Sequence, residues 1–385
     1  MLNFLSCRIF HWGPILGMSI IKCITITTLY MTDMWLPFHR SPIALLNHLT
    51  FLSLVGLTLY NFFCAIFIGP GHVPPNWKPK SAEDVKFLQE CTICESYKCP
   101  RAHHCRKCDK CVLKMDHHCP WINNCVGHVN QLYFTLFLLF AVLGSIQATF
   151  LLGIALYRGY HATWYFYNED PDSVVFLSFS SLLFSVFSIG LGIGVMIAVG
   201  GLFVVQMKII LRNMTSIEEW IVTKAENRER NDTFVYPYDL GKWNNFKQIF
   251  MSRTLDGIEW PVKEGCSQYA LTAEQLIQKQ EKRIRSRPFK TIESYNGRWL
   301  PLFSQGWRTC LRIPFTDEPR LPLNVDDVIN VTRWKKYWLY GEKIHPLQPP
   351  KLKLRGWFPR RCVVPYNFTS IRCDVSSAGD EKKLN

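Results

Sequence analysis

Between Cys91 and Cys125 the chain carries eight of its fifteen cysteines and four of its eleven histidines. Two Cys-x-x-Cys pairs, Cys91/Cys94 and Cys105/Cys108, have the spacing of the knuckles that hold tetrahedral zinc. His104, Cys111, His118 and Cys125 complete two sets of four ligands. Cys119 is then left over from the core of the run, beside Asp116 and His117. A histidine takes a thiol proton or stabilises the thiolate, and a carboxylate fixes the histidine's tautomer. The spacing therefore predicts two structural zinc ions and one reactive thiol with its own base.

The rest of the 385-residue chain reads as the apparatus that places this thiol. Hydrophobic residues make up 48% and charged residues 19%, yet the net charge is +14. Those values reconcile because the apolar residues are gathered into spans while the basic ones lie outside: 13 of the 44 Lys+Arg fall in the first 207 residues. Apolar spans run over 14–36, 45–68, 132–157 and 174–207, each long enough for the ~20 residues that cross a bilayer. Lys22 lies inside the first and is expected to snorkel or to face other helices. The Cys/His segment sits in the hydrophilic stretch 69–131, just before the third span, so its thiol is held at a membrane surface. A thiolate there suits acyl transfer from a thioester whose chain stays in the hydrocarbon.

Orientation follows from Lys/Arg asymmetry. The 69–131 loop has nine Lys or Arg, against one in each of the other two connections, which include the acidic Glu169, Asp170 and Asp172. That bias places the loop and both termini in the cytosol. The Asn-x-Ser/Thr matches at Asn213, Asn231, Asn330 and Asn367 then lie on the cytosolic side and should carry no glycan. Two other function classes recede. The knuckles lack the apolar-patterned linker of a base-reading helix and lie between spans, so no nucleic-acid partner is expected. Apart from Lys22, Asp33 near the end of the first span and His48 near the start of the second, no Asp, Glu, Lys, Arg or His lies within the spans to mark a transport path.

The pattern Cys91-x2-Cys94, His104-Cys105-x2-Cys108-x2-Cys111, Asp116-His117-His118-Cys119-Pro120-Trp121, Asn124-Cys125-Val126-Gly127 and Asn130 resembles the cysteine-rich domain of the DHHC protein S-acyltransferases over its whole length. The resemblance implies that Cys119 accepts the acyl group, with His117 as general base and Asp116 as its orienting partner. It implies one zinc on Cys91, Cys94, His104 and Cys111 and a second on Cys105, Cys108, His118 and Cys125. It also implies a ping-pong reaction from acyl-coenzyme A, with palmitoyl-coenzyme A as the long-chain donor and cytosol-facing cysteines of membrane or membrane-associated proteins as acceptors. Lys98, Arg101 and His103 are candidates for the coenzyme A phosphates. Small Gly144 and Ser145, midway along the third span, are expected to leave depth for the acyl chain. The family's Asp-Pro-Gly appears as Gly69-Pro70-Gly71, its Thr-Thr-x-Glu as Thr215-Ser216-Ile217-Glu218, and its aromatic/asparagine tail motif as Asn244-Asn245-Phe246. Cys99 has no ligand role.

Beyond the spans, Thr272-Ala-Glu-Gln275 reads as a capping box opening a helix through Arg287. Val328–Val331, Tyr337-Trp338 and Gly356-Trp-Phe-Pro359-x-x-Cys362-Val363 resemble a Src-homology-3 barrel, but Arg361-Cys362 replaces the family's Asn-Tyr and the first strand has no clear counterpart. Instead of the usual polyproline mode, a variant barrel that docks onto the catalytic domain or recruits substrates is expected. The terminal Lys382-Lys383-Leu384-Asn385 resembles a dilysine signal for the endoplasmic reticulum. The expected architecture is an α-helical integral membrane protein with four transmembrane helices, a cytosolic two-zinc cysteine-rich domain and a small C-terminal all-β barrel. Its segments are 1–69 (two spans), 70–131 (zinc domain, core 88–128), 132–210 (two spans), 211–305 (juxtamembrane region and linker), 306–370 (barrel) and 371–385 (tail). The alternative function is a membrane-tethered zinc module acting as an adaptor, with Cys119 a mere thiol.

Overall fold

A computed structural model describes residues 8–168, 174–228, 233–251, 255–301, 305–316, 318–344 and 354–366. Four helices are long and apolar enough to cross a membrane: α1 (Trp12–Trp35), α2 (Pro42–Phe67), α3 (Gln131–Tyr160) and, after the short α4 (Ala162–Asn168), α5 (Phe179–Arg212). Local chemistry sets their ends. Ser41 accepts from the Ala44 amide with Pro42 in the first turn, so α2 starts where its orphan N–H groups find a partner. Ser178 does the same for α5 through Ser181. The fourth span thus begins at Phe179 and runs past residue 207 to Arg212, where Asn213 stops it in the left-handed conformation (φ 46°). α3 packs against both α2 and α5. Gly192 permits the close approach of α5, since a Cβ there would lie 2.5 Å from Thr149 Oγ1. Lys22 is exposed on the flank of α1.

Between α2 and α3, six strands of three residues pair as three antiparallel hairpins: β1 (Gln89–Cys91) with β2 (Ser96–Lys98), β3 (His103–Cys105) with β4 (Lys110–Val112), and β5 (His117–Cys119) with β6 (Asn124–Val126). After α5 come α6 (Ser216–Glu226) and α7 (Lys242–Phe250). Met214, Ile221, Val222, Tyr236, Tyr238, Trp260 and Leu271 form a core that folds this segment up.

The chain divides into two compact units, 1–274 and 275–385. Helix α8 (Ala270–Ile284) opens two residues before the expected capping box, and the Thr272 hydroxyl donates to the Tyr269 carbonyl from within the helix, so it is no cap. The second unit holds a five-stranded antiparallel sheet, in the order β10-β9-β8-β7-β11, of β7 (Arg287–Thr291), β8 (Val328–Trp334), β9 (Trp338–Ile344), β10 (Arg355–Pro359) and β11 (Val363–Pro365). Strand β7 corrects the expected barrel start at residue 306. Arg287-Pro-Phe-Lys-Thr291 carries no alternating signature, and it becomes a strand because β8 and β11 flank it on both sides. The core is built on Ile329, Val331, Trp338, Leu339 and Phe358. Trp338 Nε1 donates to the Thr309 carbonyl in the short helix α9 (Trp307–Leu311), and Cys362 Sγ to Gln305 Oε1. Burial pushes the Cys362 thiol up to about 12, so this cysteine is a core residue. Asn231, Asn367, Cys373, the acidic 169–172 stretch and the terminal Lys382-Lys383-Leu384-Asn385 lie outside the described residues.

Candidate active site and metal centres

The three hairpins are one unit repeated at intervals of fourteen residues. Cys91, Cys105 and Cys119 occupy equivalent strand ends; Cys94, Cys108 and Ile122 follow three residues on. Glu95, Asp109 and Asn123 take the left-handed turn position with φ of 53°, 52° and 45°. Equivalent positions also bring together Glu90, His104 and His118, and Tyr97, Cys111 and Cys125. Each metal site joins the knuckle of one hairpin to the His and Cys of the next. The third knuckle has no hairpin after it, and Ile122, fully buried, stands where its second cysteine would be. Cys119 is free because the repeat ends there, a relation that self-alignment of the segment would expose.

The ligand atoms of Cys91, Cys94, His104 and Cys111 lie within 4.8 Å of one another, as do those of Cys105, Cys108, His118 and Cys125. His104 Nδ1 is 3.5, 3.4 and 3.9 Å from the sulfurs of Cys91, Cys94 and Cys111. His118 Nδ1 is 3.7, 3.4 and 3.6 Å from those of Cys105, Cys108 and Cys125, and Cys108 and Cys125 are 3.6 Å apart. Bonds of ~2.3 Å to sulfur and ~2.05 Å to nitrogen in a tetrahedron give edges of about 3.6 Å for S···N and about 3.8 Å for S···S. Both sets therefore fit a four-coordinate ion. Behind the first, Asp109 Oδ1 lies 3.6 Å from His104 Nε2, beyond hydrogen-bond reach.

The third hairpin carries Cys119, with Asp116 and His117 before it. His117 Nδ1 is 2.8 Å from Asp116 Oδ2, which fixes Nε2 as the nitrogen available to Cys119. Burial pulls the His117 pKa down, but hydrogen bonds with Asp116 and Cys119 outweigh it and raise the value to about 9. Burial pushes the Asp116 carboxyl up, and its hydrogen bonds from His117, the Ser216 amide (2.8 Å) and Gln206 Nε2 (2.9 Å) bring it below the usual carboxylate range. Phe134 on α3 packs edge-on against the imidazole, 5.6 Å between ring centroids.

Cys119 opens onto a cavity of about 400 Å³ between α1, α2, α3 and α5. Its walls include Ile24, Phe62, Leu138, Gly144, Ser145 and Val195, so both small residues expected to give depth do line it. The hairpins are moored to the cavity by helix ends that lack partners. Asn124 Nδ2 donates to the Ile66 carbonyl and Asn130 Nδ2 to that of Ala65, satisfying the last turn of α2. On the opposite side, a Cβ on Gly13 would lie 2.0 Å from the Pro120 carbonyl oxygen, so only glycine lets α1 abut the loop after Cys119.

Arg101 does not face solvent as a phosphate ligand should, and the expectation is corrected. Its side chain is fully buried, with Nε 2.6 Å from Glu218 Oε1, Nη2 donating to Glu218 Oε2 and the Asn213 carbonyl, and Nη1 to Asn213 Oδ1. Tyr238 and Trp260 cover its two faces at 4.4 and 4.5 Å. Lys98 and His103 remain half-buried on β2 and β3. The Thr215–Glu218 motif is a capping box: Glu218 accepts from the Thr215 amide and Thr215 from that of Glu218. It starts α6 with the Ser216 amide aimed at Asp116. In the tail motif the working residue is Asn245, buried and donating to the Leu211 carbonyl at the end of α5. Cys99 is buried and its thiol is pushed up to about 12 by desolvation, a core residue and no ligand.

A three-hairpin domain with two four-ligand centres, inserted between the second and third of four apolar helices, defines a class. Residues 84–222 match the model of the family described as DHHC palmitoyltransferase. The chain belongs to that family. Among curated relatives it is 45% identical to palmitoyltransferase ZDHHC6 of Homo sapiens and 44% identical to that of Mus musculus, covering in each case 92% of this chain and 91% of the relative. Over a shorter reach, 56% of this chain and 76% of the relative, it is 34% identical to probable protein S-acyltransferase 16 of Arabidopsis thaliana.

Proposed function

We propose that this chain is a protein S-acyltransferase that carries a long acyl group, palmitoyl, from acyl-coenzyme A to protein cysteines through an acyl-Cys119 intermediate. The observation that carries the reading is the placement of Cys119, with His117 beside it, at the opening of an apolar cavity. The Cys119 sulfur, its proton already taken up by His117, attacks the thioester carbonyl. The carbonyl collapses, the coenzyme A sulfur leaves and takes up that proton. A substrate thiol then repeats the exchange in the other direction and restores Cys119. Asp116 holds His117 throughout. Lys98 and His103 are the side chains proposed to meet the coenzyme A phosphates. Two zinc ions fill the four-ligand sites and fix the hairpins. The zinc domain and both termini face the cytosol, by the Lys/Arg asymmetry, in the membrane of the endoplasmic reticulum, by the terminal lysine pair. The five-stranded module offers a partner surface.

Labelled palmitoyl-coenzyme A tests this: the purified protein should take up hydroxylamine-sensitive label, and Cys119→Ala should take up none while keeping both metals. Label persisting in Cys119→Ala rejects the reading. The acyl cavity has its own test. Gly144 faces Leu54, where an added Cβ would find its nearest neighbour 3.7 Å away, so a larger side chain would project into the free volume. Gly144→Phe is expected to lower use of sixteen-carbon and longer donors at least roughly tenfold while sparing shorter ones, because each methylene denied burial forfeits about 0.8 kcal/mol. A profile of acyl-coenzyme A use identical to wild type would remove Gly144 from the chain-length limit.

A further inference from the structure

We propose that Gln206 is a positioning residue of the transfer site, holding the Asp116 carboxylate so that His117 stays aimed at Cys119. The inference rests on the assignment of Asp116, His117 and Cys119 made above. Gln206 is the one amide side chain in α5 and is only 1% exposed. Its Nε2 donates to Asp116 Oδ2 at 2.9 Å, the same oxygen that receives His117 Nδ1 at 2.8 Å. The other carboxylate oxygen accepts from the Ser216 amide at 2.8 Å. Since an ionised carboxylate only accepts, the amide nitrogen must face it and the amide oxygen must point away. That oxygen, Oε1, is buried and has no hydrogen-bond partner among the described residues. A methionine of similar shape would fill the space without stranding a buried acceptor. The glutamine is thus explained by its one donor and not by packing.

The geometry shows what that donor does. Two donors from two elements, Gln206 on α5 and the Ser216 amide at the start of α6, fix both oxygens of Asp116 and hence the plane of its carboxylate. His117 hangs from that plane by Nδ1. With Gln206 gone, Oδ2 keeps only the imidazole as a side-chain donor, and the carboxylate turns about its remaining bond to the Ser216 amide. His117 Nε2 then leaves the line to Cys119. The acyl cavity and the ligand sets are not touched by this change, so the loss belongs to the chemical step.

The test uses the purified full-length protein in detergent with palmitoyl-coenzyme A, measuring the rate of Cys119 acylation, KM and metal content. Gln206→Met should lower the acylation rate at saturating donor roughly tenfold, the scale of one charge-assisted hydrogen bond, with KM and metal content as in wild type. Gln206→His, whose imidazole supplies an N–H from a similar distance, should recover most of that rate. Gln206→Glu should fall below Gln206→Met, because a second carboxylate faces Asp116. A Gln206→Met rate equal to wild type overturns the proposal. So does a loss in Gln206→Met that is accompanied by loss of metal or a raised KM and is not recovered by Gln206→His. Cys119→Ser run in parallel separates the two claims: hydroxylamine-sensitive label on Cys119→Ser removes the transfer-site assignment itself, whereas an inert Cys119→Ser beside a fully active Gln206→Met removes Gln206 alone.

Discussion

Chelation of the bound metal is expected to release two zinc ions per chain, unfold residues 89–126 and abolish acyl transfer, while the four apolar helices persist. Each of the six strands in the segment is three residues long, and each sheet has two strands, well short of what stands alone in water. Within the hairpins Val112, Met115, Cys105 and Cys125 form one cluster, while Ile122 and Val126 pack with Phe62 of α2 and Phe134 of α3. Structural zinc contributes roughly 10–16 kcal/mol per site at neutral pH, more than such hairpins supply by themselves. Hydrogen exchange would report the result: amides of the three hairpins should lose protection together, and those of α1, α2, α3 and α5 should keep theirs. Hairpin amides that stay protected after both ions are gone would show that the metals do not hold the fold. A graded version is available in Cys108→Ser. It removes a ligand of the second centre only, so one zinc should remain, β1 and β2 should stay protected, and Cys119 should lose its acylation because the second centre links its hairpin to the one before.

The metal sets were legible because ligand chemistry allows few residue types at few spacings, and the four spans because an apolar run of that length with so little charge has few soluble uses. Cys119 could be singled out by counting, but not the reason it stays unliganded. That reason is the fourteen-residue repeat in which Ile122 replaces a cysteine, visible once the strand registers are aligned. Arg101 was misread because charge in a hydrophilic loop looks available; its partners Glu218 and Asn213 are more than a hundred residues away, and no local pattern announces them. Strand β7 was missed for the same kind of reason. Its sequence is neutral between loop and strand, and its partners decide. Local chemistry was readable, and long-range pairing was not.

Arg101→Met should be among the most damaging single changes outside the ligand sets, lowering stability by about 3–5 kcal/mol through the unpaired Glu218 left inside. Glu218 is buried beside Arg101, Tyr236 and the Thr215 amide. Burial pushes its carboxyl up, yet the guanidinium and these donors hold it below its usual value. Because its pKa in the folded protein is depressed, the pair contributes its full stabilisation above the unfolded value of about 4.3 and loses it as pH falls through the lower folded value. Removal of the guanidinium should reverse that sign. The lone carboxyl, now dominated by desolvation, would favour its neutral form, and Arg101→Met should be relatively less impaired in acid than at neutral pH. Thermal unfolding in detergent across that range would show it, and an equal loss at every pH would contradict the buried-charge account. Replacing both partners, Arg101→Met with Glu218→Leu, should recover much of the stability, since two apolar groups need no pairing. It should not recover all, because Glu218 also closes the capping box, worth about 1 kcal/mol. Activity should recover less than stability. The capping box presents the Ser216 amide to Asp116, so a helix start that is merely packed, and no longer capped, leaves the Asp116 carboxylate short of one of its two anchors.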